Sequence, residues 1–126
     1  MGTPAPLTPP RPAARILVVG PCGSGKTTLT LSLRALDIRI IQVAQEHSFV
    51  PDLWRRGVLP DVLIFLDARF ETCTMRKRFR WYERDYLEQQ RRLADARAHC
   101  HLYLQTDDLT PSEVRDRVMS FLREGR

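Results

Sequence analysis

The chain has 126 residues, of which 43% are hydrophobic and 28% are charged, and these values are typical of a single globular domain. It contains no apolar run of the ~18 residues that a membrane span needs and no secretory signal segment, so we expect a cytoplasmic protein without a membrane partner. A net charge of +5 favours an anionic ligand, either a nucleotide or a nucleic acid.

The first segment, residues 1–14, contains five of the nine prolines. It has no hydrophobic periodicity, and this composition predicts a disordered or polyproline tail. We therefore expect one folded domain over residues 15–126, preceded by this tail.

The strongest pattern in the chain is a strand, a glycine-rich loop and a helix over residues 15–36. The β-branched run Arg15–Val19 predicts a buried strand, and leucines at i, i+4 and i+7 from position 29 predict a helix. Between them, residues 20–27 (Gly-Pro-Cys-Gly-Ser-Gly-Lys-Thr) satisfy the spacing G-x-x-x-x-G-K-[S/T]. Backbone amides of such a loop, at a helix N-terminus, can surround phosphate oxygens. The stretch resembles the Walker A motif of P-loop NTPases.

That resemblance implies a nucleoside triphosphate, with Mg²⁺, as the ligand. Lys26, one of only two lysines, would reach the β- and γ-phosphates, and Thr27 would offer its hydroxyl to Mg²⁺. The chain has no Asn-Lys-x-Asp segment for guanine, so ATP is favoured. The residues that we expect to contact the nucleotide are Gly20, Gly23, Ser24, Gly25, Lys26, Thr27 and Thr28.

Strand and helix patterns alternate along the rest of the chain. Strands are predicted at 38–44, 62–66 and 101–105, a short helix at 51–56, a helical stretch over 71–99, and a last helix capped by Thr110 with Pro111 and Glu113 in its first turn. A helix over 71–99 would be roughly 43 Å long, so we expect a break within it. The alternation predicts a small, mostly parallel α/β sheet of about four strands. Together with the Walker A resemblance, it implies a three-layer α/β/α P-loop fold.

The end of the third predicted strand offers a metal ligand. Val62–Asp67 is an apolar run followed by an acid, as in a Walker B motif, and Asp67 would then hold a water on Mg²⁺. The alternative is an ordinary buried strand that ends in a polar loop.

A longer resemblance includes this strand. Pro60–Ala68, with Arg76 and Arg78 after it, resembles the P-D-x-x-I-x-L-D-A … R-x-x-R stretch of thymidylate and deoxynucleoside kinases. Tyr86–Gln90 is similar to the helix after their lid, and Thr106–Val114 to the loop before their last helix, which packs near the adenine.

The kinase resemblance implies a Mg²⁺-dependent phosphotransferase in which Glu46 is the active-site acid. His47 stands where that family has an arginine. The catalytic residues expected on this basis are Lys26, Glu46, Arg76 and Arg80, and the expected metal ligands are Thr27, Glu46 and Asp67.

One region departs from the kinase pattern. The 13 residues from Phe49 to Asp61 replace the long helical region that builds the family's nucleoside pocket. A small-molecule phosphate acceptor is therefore expected but not identified. Two other functions stay open: a nucleotide-binding or slowly hydrolysing switch that acts on a partner, and a nucleic-acid-associated ATPase.

Arginines and aromatic residues alternate between positions 76 and 86. Three interpretations of the arginines stay open. They could form a solvated helix face, or a lid in which Arg76 and Arg80 contact the transferring phosphoryl group. They could also bind single-stranded nucleic acid. Spacing at i, i+3 and i+7 predicts that three aromatics lie in the core and that Trp81 lies off that face. The predicted core face comprises Met75, Phe79, Tyr82, Tyr86 and Leu93.

The cysteines form no metal-ligand pattern along the sequence. Cys22, Cys73 and Cys100 are far apart, which predicts reduced thiols in a cytosolic protein. We expect Cys22 to be an ordinary small residue of the loop. His99 and His101 flank Cys100 but lack a third ligand.

Overall fold

A parallel sheet of four strands forms the centre of the computed structural model, which describes residues 14–78 and 80–124. The predicted tail, except Ala14, and Phe79 lie outside the described residues. The strands are β1 (Ile16–Val19), β2 (Ile41–Gln42), β3 (Val62–Asp67) and β4 (Leu102–Gln105), in the order β2-β1-β3-β4. All neighbouring strands run parallel, so the prediction of a small, mostly parallel sheet is confirmed.

Helices connect the strands and cover both faces of the sheet. The described residues contain α1 (Lys26–Arg34), α2 (Phe70–Lys77), α3 (Glu83–Arg92), α4 (Ala94–His99) and α5 (Pro111–Glu124), and 3₁₀ turns at Gln45–His47 and Leu53–Arg55. None of these helices is long and apolar enough to cross a bilayer.

Each face of the sheet has its own apolar cluster, because successive strand residues point to opposite sides. On one face, α1 and α5 pack against β1 and β3 through Leu29, Leu33, Val114 and Val118. On the other face, α3, α4 and the second 3₁₀ turn contribute Leu93, Ala96 and Trp54. The chain is therefore an α/β structure with helices on both sides of a buried parallel sheet.

The second strand is much shorter than predicted. We expected residues 38–44 to be extended, but the strand comprises only Ile41–Gln42. Asp37 adopts a left-handed conformation with φ 63°, and the Ile38 amide donates to the Leu33 carbonyl, so this part of the segment completes the end of α1. Ile40, the residue before the edge strand, is buried in the apolar cluster that contains Leu29 and Leu33.

The long helical stretch is interrupted, as predicted. Arg78 has φ 61° and ends α2, and α3 begins after Tyr82, whose amide donates to the Asp85 carboxylate at 2.8 Å. A second break follows at Leu93. The prediction of one shared core face along this stretch is wrong for two of the described residues, Met75 and Tyr82.

Met75 is 72% exposed and Tyr82 is 56% exposed, whereas Leu93 is buried. Because the helical phase is lost at Arg78, spacing across the break no longer indicates a common face. Trp81, which the pattern left outside the core, is half-buried between the rings of Phe70 and Tyr86, and its indole N–H donates to Thr74.

The last helix begins as its sequence predicts. The Thr110 hydroxyl accepts a hydrogen bond from the Glu113 amide at 3.1 Å, and the Glu113 carboxylate accepts one from the Thr110 amide at 2.8 Å. This capping box places Val114 and Val118 on the buried face of α5. The Thr106 hydroxyl, which lies 2.9 Å from the Ser24 carbonyl, holds the loop before α5 beside the glycine-rich loop.

Candidate functional site

The candidate site lies where β1 ends and α1 begins, at residues 20–27. A Cβ on Gly20 would lie 2.1 Å from the Leu66 carbonyl oxygen, so only glycine fits between the loop and β3. Gly25 caps α1 with φ 109°, and among the described residues no atom beyond the adjoining backbone lies within 4 Å of the position of a Cβ there. A backbone with this conformation and this clearance favours glycine and leaves the helix N-terminus open to a ligand.

The backbone amides at the start of α1 have no hydrogen-bond acceptor among the described residues. Among the hydrogen bonds formed by the described residues, none uses the amides of Gly25, Lys26, Thr27 or Thr28 as donors. These unpaired donors lie at the positive end of the helix dipole, where an anion is stabilised. The loop can therefore bind a phosphate through its backbone.

Lys26 is the buried cation of this loop. Its ammonium donates to the carbonyl oxygens of Gly20 at 2.6 Å and Pro21 at 3.2 Å, and to Glu46 Oε2 at 3.0 Å. The side chain is 9% exposed. These contacts hold a positive charge beside the open amides of α1.

Glu46 reaches Lys26 from the 3₁₀ turn Gln45–His47. The turn is fixed by the buried Gln45 side chain, which donates to the Val50 carbonyl at 2.8 Å and accepts from the Trp54 amide at 3.0 Å. The Glu46 carboxyl is 6% exposed, and its Oε1 is buried with no hydrogen-bond partner among the described residues. An unpaired buried carboxylate oxygen indicates that this acid can accept another ligand.

The Asp67 carboxylate, in contrast, is surrounded by protein donors. Its Oδ1 accepts from the Ala68 amide and the Gln90 side chain, both at 2.9 Å. Its Oδ2 accepts from the Tyr103 hydroxyl at 2.6 Å and lies 3.4 Å from Arg97. Burial and the hydrogen bond to Asp67 raise the pKa of Tyr103 to about 12, so this hydroxyl keeps its proton. Through Asp67, these bonds join the end of β3 to α3, α4 and β4.

Arg76 connects the glycine-rich loop to the loop before α5. Its guanidinium donates to the Gly23 carbonyl at 3.1 Å, to the Thr106 hydroxyl at 3.0 Å and to the Thr106 carbonyl at 2.6 Å. Thr106 is buried, and its hydroxyl lies 2.9 Å from the Ser24 carbonyl and 3.2 Å from the Asp67 carbonyl. These bonds place a guanidinium at the edge of the loop.

The other predicted site residues are more exposed. The Thr27 hydroxyl lies on the surface and donates to the Gln42 side chain at 3.3 Å, and Thr28 is exposed beside it. Arg80 is exposed in the connection between α2 and α3 and makes no hydrogen bond or ion pair within the described part of the chain. The structure therefore brings Arg76, but not Arg80, into contact with the loop.

Two adjoining cavities open beside the loop. The larger, of about 560 Å³, includes Lys26, Thr27, Glu46, His47 and Arg76 in its lining. The smaller, of about 150 Å³, is more apolar and includes Leu29, Thr106, Leu109, Pro111 and Val114. A charged cleft next to a small apolar pocket suits a ligand with an anionic part and a planar apolar part.

The sequence patterns missed three side chains in this region. Cys22 and His47 lie against Glu46 in the larger cavity, and Gln89 contacts Cys22 from the buried face of α3. Cys22 and His47 are 25 residues apart, and Cys22 and Gln89 are 67 apart, so no local spacing indicates their contact. These side chains come together only because the first 3₁₀ turn, Gln45–His47, lies next to the glycine-rich loop.

No protein-family model matches this chain, and no curated protein matches it. The interpretation of the site therefore depends on its geometry and chemistry. The kinase resemblance seen in the sequence accordingly stays a prediction.

Proposed function

We propose that the chain is an ATP-binding P-loop protein and that it acts as a Mg²⁺-dependent phosphotransferase similar to small nucleoside and nucleotide kinases. The observation that carries the proposal is the ammonium of Lys26, held against Gly20 and Glu46 beside the open amides of α1. This combination of cation, helix N-terminus and glycine-rich turn is the one that triphosphate binding requires.

Each part of the nucleotide has a suitable partner near the loop. The amides of α1 and the Lys26 ammonium would bind the phosphates, and Arg76 at the loop edge would offset the charge on the transferring group. The apolar pocket bounded by Leu109, Pro111 and Val114 suits an adenine ring.

Oxygen atoms on the open side of the loop would be the protein ligands of Mg²⁺. The Thr27 hydroxyl and the Glu46 carboxylate line the same cleft, and Glu46 Oε1 has no partner within the described residues. These hard oxygen ligands suit Mg²⁺, which would neutralise phosphate charge when bound. Because four donors already occupy Asp67, Glu46 is the better candidate for the ligand or for the acid that orients an acceptor.

A kinase of this type also needs space for a second substrate. The cleft that contains Glu46 and Arg76 has a volume of about 560 Å³ and is open to solvent, so a small acceptor has access to the end of the phosphates. A cytoplasmic location fits this activity and the three free thiols.

A second candidate is a nucleotide-dependent switch that acts on a partner protein. The segment that stands in place of the kinase acceptor region carries apolar side chains on its surface: Phe49 is 85% exposed, Val58 60% and Leu59 66%. Three exposed apolar side chains within this one segment favour a partner surface.

A nucleotide-depletion screen distinguishes these two functions. The chain is incubated with ATP and Mg²⁺ and a panel of nucleosides, nucleotides and other small alcohols, and ADP and the phosphorylated acceptor are measured. Transfer to one acceptor supports the kinase. ATP binding with slow hydrolysis that no acceptor accelerates would instead favour the switch.

A further inference from the structure

Three side chains with metal-binding atoms meet at the mouth of the glycine-rich loop. Cys22 Sγ lies 3.5 Å from His47 Nε2, and that nitrogen lies 3.7 Å from Glu46 Oε2. The three ligand atoms all lie within 4.8 Å of one another. A thiol, an imidazole and a carboxylate thus converge from two separate segments of the chain.

The separation of the sulfur and the nitrogen matches one edge of a tetrahedral metal site. With bonds of about 2.3 Å to sulfur and 2.0–2.1 Å to nitrogen, a tetrahedral ion separates the two atoms by roughly 3.5 Å. The distance between Cys22 Sγ and His47 Nε2 is 3.5 Å, so these side chains need little movement to share an ion. Glu46 completes three protein ligands and leaves the fourth position to water.

The surroundings also resemble those of a metal site. Gln89 is buried and donates its amide N–H to Cys22 Sγ at 3.2 Å, while its carbonyl oxygen accepts from the Cys22 amide at 3.0 Å. Outer-sphere hydrogen bonds of this kind orient metal ligands. Glu46 adds a buried Oε1 with no hydrogen-bond partner in the described part of the chain.

We propose that Cys22, Glu46 and His47 bind a thiophilic divalent cation of the Zn²⁺ class. Sulfur and nitrogen ligands select such an ion over Mg²⁺, which prefers oxygen. The ion enters through the open cleft, where the His47 side chain is 58% exposed. Binding transfers the Cys22 thiol proton to solvent as the metal–sulfur bond forms.

The ion has one competitor within the protein. The Lys26 ammonium contacts the same Glu46 oxygen that faces His47, at 3.0 Å. Removal of this ammonium frees the carboxylate for the metal. The Lys26→Met variant should therefore bind the ion as tightly as the parent chain or more tightly, and this expectation does not depend on whether the chain binds ATP.

Titration with Co²⁺ tests the site directly. The reduced chain, first treated with a chelator, should bind one equivalent of Co²⁺ with a thiolate-to-metal charge-transfer absorption, and Zn²⁺ should displace it. Cys22→Ser should abolish this absorption. His47→Gln should weaken binding by at least the roughly tenfold loss that follows removal of an outer-sphere partner.

Matched control variants remove a thiol and an imidazole at positions outside the proposed site. Cys100→Ser and His99→Gln delete a half-buried thiol and an exposed imidazole away from the loop, and both should retain the absorption. Thermal melting establishes that each variant is folded. A charge-transfer absorption that survives Cys22→Ser, binding that is unaffected by His47→Gln, or no absorption in the parent chain would overturn the proposal.

Discussion

The Lys26 ammonium lies 3.0 Å from the Glu46 carboxylate, although the two residues are 20 positions apart and belong to different elements. Both side chains are buried, at 9% and 6% exposure. This ion pair joins the first turn of α1 to the 3₁₀ turn after β2, and it keeps a cation and an acid together at the N-terminal end of the helix.

Glu46→Gln and Asp67→Asn should separate the functions of the two acids. Glu46→Gln should lower Mg²⁺-dependent turnover by roughly 10²-fold or more, the contribution of a positioned acid–base group. Asp67→Asn should lower the free energy of unfolding by about 1–3 kcal/mol because donors around Asp67 lose their acceptor.

The measurements are ATP turnover at several Mg²⁺ concentrations and urea unfolding. Each variant serves as the control for the other. A loss of Mg²⁺ dependence in Asp67→Asn alone would assign the metal to Asp67 and contradict the role proposed for Glu46.

Arg76→Ala should weaken ATP binding, whereas Arg80→Ala should not. Arg76 bonds to the Gly23 carbonyl and to Thr106, so its loss releases the loop as well as a positive charge. We expect an affinity about tenfold lower, the size of one charge-assisted hydrogen bond. Calorimetric titration with ATP compares the two variants, which lose the same charge; equal effects would contradict a specific role for Arg76.

The strands β1, β3 and β4, the last helix and the helix break were predictable because their signals are local. The apolar run of β3 and the Thr110–Glu113 capping box depend on neighbouring residues. The partial burial of Trp81 and the exposure of Tyr82 were not predictable, since the left-handed Arg78 changes the direction of the chain between them and α2.

Contacts between distant segments explain what the sequence patterns missed in the site. The glycine-rich loop is predictable as a unit, and its neighbours are not. Asp67 fits a metal-binding pattern, but Gln90, Arg97 and Tyr103 bring their donors to it from α3, α4 and β4. Only the assembled fold shows that this carboxylate is already occupied.

Asp107 should make stability depend on pH in the acid range. Burial alone would raise its pKa, but hydrogen bonds from the Thr72 side chain, the Arg69 amide and the Gln105 side chain, with the Arg69 charge, lower it from 3.8 to about 2. The folded state therefore binds this proton less readily than the unfolded state. Its stabilising contribution is complete above pH 3.8 and is lost as the pH falls towards 2.

Urea unfolding at pH 6 and at pH 2.5 tests this dependence. Asp107→Asn should be less stable than the parent chain at pH 6, and the difference should shrink at pH 2.5. Asp108→Asn is the matched control, because Asp108 is exposed next to it. A difference that stays constant over this range would contradict the lowered pKa of Asp107.

Cys73 should resist alkylation in the folded chain. Burial raises the pKa of its thiol to about 12, so almost none of it is thiolate at pH 8. Cys22 is half-buried at the mouth of the cleft and provides the internal comparison. Mass spectrometry after iodoacetamide treatment should find Cys22 modified well before Cys73, and both modified in urea. Rapid native modification of Cys73 would contradict its burial behind the loop.

Calorimetric titration of the parent chain and Lys26→Met with ATP and Mg²⁺ tests the central claim most directly. Methionine keeps the apolar stem and removes the ammonium, so we expect ATP affinity to fall by about 10- to 100-fold, as the loss of a charge-assisted hydrogen bond predicts. Arg34→Ala, which removes an exposed cation from the other end of α1, should leave the affinity unchanged. Equal affinity in Lys26→Met and the parent chain would contradict the assignment of residues 20–27 as a triphosphate-binding loop.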